Sequence, residues 1–111
     1  MPVLTDKLAE LRLRIDAVNL KIVDTLNIEG RDSDEMRRLI KERRELSSQI
    51  GDYKAQHGLL AFDQAREDKM YASIRRYAAS RGYDVKKTIE FMRSLVEESK
   101  KIQEGVLAHA G

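Results

Sequence analysis

Seven residues of this chain, Arg43, Lys54, Asp63, Arg66, Glu67, Ser99 and Gln103, have types and spacings that could do chemistry together. Arg43 and Lys54 are eleven residues apart. At about 3.6 residues per turn that is close to three whole turns, so one helix face projects both, with Ser47 and Ile50 between them. Ser99 and Gln103 repeat the arrangement at i and i+4 on a later stretch, and the run Asp63-Gln-Ala-Arg66-Glu67 opens the helix between the two. A bundle would want apolar groups on such faces. Guanidinium groups hold planar carboxylates in a bidentate fork, and an ammonium is a compact charge suited to an oxygen on which negative charge grows. Gathered in one place, these groups would surround one small polyanion, and the pattern points to an enzyme.

Helices must position these residues, and the apolar pattern supplies them. Leu8, Leu11, Ile15, Val18, Leu20, Ile22, Val23 and Leu26 keep a helical stripe, which predicts a helix over residues 5 to 29. Glu29 to Glu35 then offers no core residue, contains Gly30 and provides Asp32, Ser33 and Asp34 as N-cap types, so the helix breaks there. Met36, Leu39, Ile40, Leu46 and Ile50 resume the stripe as far as His57, with Gly58 as a left-handed cap. Leu59 to Phe62 is a short apolar connection. Asp63 caps the next helix, which carries Glu67 in its first turn, buries Met70, Ile74, Tyr77 and Ala78, and ends at Gly82. Asp84 caps the last, whose apolar set is Ile89, Phe91, Met92, Leu95, Val96 and Ile102, up to Glu104. The tail from Gly105 to Gly111 reads as frayed. The expectation is one all-α domain over residues 1–111, a helical bundle whose first helix is broken near Gly30 to Ser33.

Composition narrows the function classes. With 36% charged residues, 5% aromatic and one Pro, the chain suits a helical bundle better than a β-sandwich. A net charge of +2, with Lys and Arg matched by Asp and Glu along most stretches, gives no argument for nucleic acid. The absence of Cys excludes disulfides, thiolate nucleophiles and Cys-based zinc sites. His57 and His109 have no partners at metal-ligand spacing and read as surface residues, so no metal is expected. The first residues lack the apolar stretch of a signal peptide and no run approaches a membrane span, which makes the cytoplasm the expected location and a membrane partner unexpected.

Taken in order, Leu11-Arg12-x-x-Ile15-Asp16, Glu42-Arg43-Arg44-Glu45-Leu46, Lys54, Asp63-x-x-Arg66-Glu67 and Ser99-x-x-x-Gln103 resemble the all-helical (AroQ-class) chorismate mutase family over nearly the whole chain. The resemblance implies conversion of chorismate to prephenate, an intramolecular rearrangement that needs no nucleophile, metal or redox cofactor. It implies that Arg12 and Arg43 hold the two carboxylates, Ser99 assisting at the ring carboxylate. Lys54 and Gln103 would donate to the ether oxygen. Glu67 and the main chain at Asp63 would bind the ring hydroxyl, Arg66 would orient that side, and Ile50 and Val96 would be apolar walls. Lys54, Gln103, Arg43 and Glu67 would carry the catalysis.

Against the short form of that family the chain has an insertion from Ile28 to Lys41. As continuous helix it would add about 14 residues and roughly 21 Å, with two exposed polar turns at the middle. A turn near Arg31 would instead fold the first helix back, bringing Arg12 level with Ile50 and near Lys54 of the same chain. A fold-back monomer and a domain-swapped homodimer, in which the partner supplies Arg12, both stay open. Two further readings stand beside the mutase. One is elimination of pyruvate from isochorismate on the same scaffold; the other is a charged helical hairpin that docks a partner, in which Ser99 and Gln103 need not share a pocket with Lys54. Arg37, Arg38, Lys41, Arg75, Arg76, Lys100 and Lys101 read as solvated faces. Met36, Met70 and Met92 read as gap-filling core, and Tyr53, Tyr71 and Tyr77 as partly buried packing residues.

Overall fold

The computed structural model describes residues 3–60 and 62–110, and of residues 3–6 and 107–110 the backbone alone. Four helices run in chain order, α1 (Val3–Ile28), α2 (Asp34–Gln56), α3 (Gln64–Ser80) and α4 (Val85–Ala110), with no strand among the described residues. Among the described residues, no helix is long and apolar enough to cross a membrane.

The break in the first helix is a turn built from two caps. Gly30, at φ 98°, donates its N–H to the Thr25 and Leu26 carbonyls and so closes the end of α1 in a conformation that a side chain would strain. Ser33 then opens α2 by accepting the Met36 N–H at 3.0 Å, with Asp34 and Glu35 in the first turn. The chain reverses between these caps, and α1 lies back along α2. Asn19 meets Arg43 across this pair. The same register sets Arg12 opposite Ile50, as the fold-back geometry requires.

One core joins all four helices. Leu11, Ile15, Val18, Ile22 and Leu26 of α1 pack with Met36, Leu39, Leu46 and Ile50 of α2, Ile74 and Ala78 of α3, and Met92, Leu95 and Val96 of α4. Helix α2 packs on α1 and α4, and α3 packs on the same two helices, while α2 and α3 make no backbone contact. They therefore face each other across the bundle. At the turn end the bundle is closed, Asn27 of α1 donating to the Thr88 hydroxyl of α4 at 3.0 Å, and Asp24 accepting from the Tyr77 and Tyr83 hydroxyls at 2.8 and 2.7 Å. The opposite end carries the start of α3 and the polar residues.

One detail differs from the sequence reading. Helix α4 continues through Gly105 to Ala110, where fraying was expected, and Gly51 is part of the reason that its last turns are held. A Cβ built on Gly51 would lie 3.2 Å from the Gln103 Cα and 3.3 Å from the Val106 Cβ, so α2 and α4 approach backbone to backbone here. Leu59, Leu60 and Phe62 of the connection are exposed, Leu60 at 83%. The surface role expected for His109 lies outside the described residues.

Candidate active site

Helix α2 has a core stripe at Met36, Leu39, Arg43, Leu46, Ile50 and Tyr53, so Arg43 occupies a position that packing would give to Leu. It is 4% exposed. Its Nε donates to Asn19 Oδ1 at 2.7 Å and its Nη1 donates to the Leu95 carbonyl at 2.9 Å and to the Ser99 hydroxyl. Every one of these acceptors is neutral. Burial lowers the pKa of the Arg43 guanidinium to about 10, Glu98 opposing that shift through space. The Ser99 hydroxyl also meets Ser47 Oγ at 2.7 Å, which ties α4 to α2 beside the guanidinium.

Three turns on, Lys54 projects from the same face and its Nζ donates to Gln103 Oε1 at 2.8 Å. An ammonium can only donate, so this contact fixes the Gln103 amide with its Nε2 turned away from Lys54. Burial, followed by the neighbouring Arg12, lowers the Lys54 pKa to about 8, with Asp63 opposing and Arg66 reinforcing the shift.

The start of α3 faces these groups. Asp63 caps the helix, its carboxylate accepting the Arg66 N–H at 3.1 Å and its carbonyl accepting the Glu67 N–H at 3.1 Å. The cap aims the first turn at the bundle end. Glu67 pairs with Lys100 of α4 at 3.0 Å, Arg66 with Asp16 of α1 at 2.6 Å, and Arg12 approaches Asp63 at 3.8 Å. Desolvation, with Arg66 nearby, lowers the Arg12 pKa.

All ten residues singled out in the sequence, Arg12, Arg43, Ile50, Lys54, Asp63, Arg66, Glu67, Val96, Ser99 and Gln103, line this one cleft. Among its lining residues five cations stand against two carboxylates, which suits an anion. Ser99, Gln103 and Lys54 share it, a convergence that a docking hairpin does not require. No group of three His, Cys, Asp or Glu stands together in a way that could hold a metal among the described residues.

Residues 32–104 match the family model for chorismate mutase type II. The chain belongs to that family. Over 102 residues, 92% of this chain and 89% of the relative, it is 29% identical to a chorismate mutase of Methanocaldococcus jannaschii. No solved structure matched the chain. The family match begins in the turn before α2, so α2, α3 and α4 as far as Glu104 fall within it, while Arg12 on α1 lies outside.

Four lining residues went unassigned in the sequence: Ile15, Phe62, Met70 and Lys100. Lys100 read as solvated because its partners are remote. Glu67 reaches it from another helix, and the Phe62 ring lies 4.4 Å from its ammonium. Asn19 was also passed over. Its signal was present, since it is the polar residue between Ile15 and Ile22 on an otherwise apolar stripe.

Proposed function

We propose that the protein is a chorismate mutase that rearranges chorismate to prephenate within this cleft. The observation that carries the reading is its donor set. Arg43 is a buried cation held by neutral acceptors, with Lys54 paired to the Gln103 amide about three turns along the same face. Two carboxylates of a compact diaxial conformer would meet Arg12 on one side and Arg43 with Ser99 on the other. The ether oxygen would take hydrogen bonds from the Lys54 ammonium and the free Nε2 of Gln103.

As the C–O bond breaks, negative charge grows on that oxygen, and donors already in place stabilise it without reorganisation. Glu67, steadied by Lys100, would accept from the ring hydroxyl beside the Asp63 main chain, and Arg66 would orient that side. Ile50 and Val96 supply the apolar walls that exclude water. Purified protein is expected to convert chorismate to prephenate, identified by chromatography. Lys54→Ala is expected to raise the barrier by about 3 to 4 kcal/mol, on the order of a hundred- to a thousand-fold in turnover, and to keep its helical circular dichroism. Intact chorismate with wild-type protein would overturn the reading, and pyruvate released from isochorismate would replace it with the lyase.

We infer further that one chain builds the whole site. The turn between Gly30 and Ser33, and the contact of Asn19 with Arg43, support this.

A further inference from the structure

We propose that Asn19 is a positioning residue for Arg43, fixing the guanidinium so that its Nη2 edge faces the cleft. Nε of Arg43 is taken by Asn19 Oδ1 and Nη1 by the Leu95 carbonyl and the Ser99 hydroxyl. Nη2 makes no hydrogen bond among the described residues and is not sealed from the cleft. Of the three acceptors, two belong to α4, and only Asn19 holds the guanidinium from α1. Without it the group is anchored from one side and can turn about the end of its chain.

The chemistry of Asn19 itself argues for this role. It is 1% exposed, and its Nδ2 has no hydrogen-bond partner. An unpaired buried amide N–H destabilises a fold, and a Leu at this place in the apolar stripe of α1 would avoid it. What the amide supplies in return is Oδ1, aimed at Nε. A neutral acceptor holds the cation without offsetting its charge, which stays available to an anion in the cleft.

The inference rests on the proposed mutase reading for its kinetic test and stands apart from it for its spectroscopic one. In wild type the Arg43 Nε–H is expected as a slowly exchanging resonance in 15N spectra, assigned by its loss in Arg43→Lys. Asn19→Leu is expected to bring that resonance into fast exchange and to lower kcat/KM roughly tenfold or more, chiefly through KM. Asn19→Asp retains the acceptor but offsets the charge, so it is expected to restore slow exchange and to recover only part of the loss in kcat/KM. Slow exchange that persists in Asn19→Leu, or kinetics within twofold of wild type, would overturn the proposal. Should Asn19→Leu fail to fold, fast exchange of the Arg43 Nε–H in wild type would overturn it equally, and slow exchange retained in Asn19→Asp but lost in Asn19→Ser would uphold it. If wild type leaves chorismate intact, the function is wrong, yet the exchange rates still decide whether Asn19 holds Arg43.

Discussion

Lys54 ties the electrostatics of the cleft to a measurable pH dependence. Its pKa of about 8 arises first from burial and then from Arg12, so the free protein loses this ammonium as pH rises through that value. On the proposed mechanism kcat/KM falls above about pH 8. A bound dianion favours the charged form, so the limb in kcat lies at higher pH. A kcat/KM flat to pH 9.5 would remove Lys54 from its role. Stability moves the other way. Between about 8 and the ordinary 10.5 the unfolded chain holds a proton that the folded protein has released, so the contribution of this residue to stability rises with pH across that window. At this scale the sequence was legible where two cleft residues share a helix face, as Arg43 with Lys54 and Ser99 with Gln103 do. It was opaque for Lys100, whose ion pair with Glu67 depends on how α3 packs against α4.

The turn and the α2 to α4 contact are the elements on which the site depends. Gly30 and Ser33 announced the break through backbone freedom and capping chemistry, both local properties, whereas the extent of α4 was set by packing against Gly51 and could not be seen locally. Replacing both turn residues, Gly30→Ala with Ser33→Ala, is expected to remove about 1 to 2 kcal/mol of preference for the reversal and to favour a continuous helix. Light scattering would then report a swapped dimer. Gly51→Ala tests the other contact. Its Cβ meets the backbone of Gln103, which has to give by a few tenths of an ångström, and that carries the amide away from Lys54. A fall in kcat of about tenfold is expected, with a loss of stability near 1 kcal/mol measured by denaturant titration. Unchanged kcat would show that the cleft tolerates the shift.

Across the whole molecule, α1 closes the cleft from the side opposite α4, and the inferred single-chain site follows from its reversal at Gly30. Mixing Arg12→Ala with Lys54→Ala protein is therefore expected to restore no activity, since neither chain can lend the missing helix; recovery toward a quarter of wild type would point to exchanged helices instead. Specific activity should also stay constant on dilution to concentrations at which a dimer would separate. The fold-back has a consequence for inheritance as well. When each polypeptide completes its own cleft, a defective copy made beside an intact one is idle but harmless, and the loss is proportional to gene dose. With exchanged helices a copy defective at both Arg12 and Lys54 would silence both sites of every mixed dimer, so that the loss would exceed its gene dose. A reversal of the backbone spanning a handful of residues thus decides whether such a doubly defective copy is merely idle or a poison.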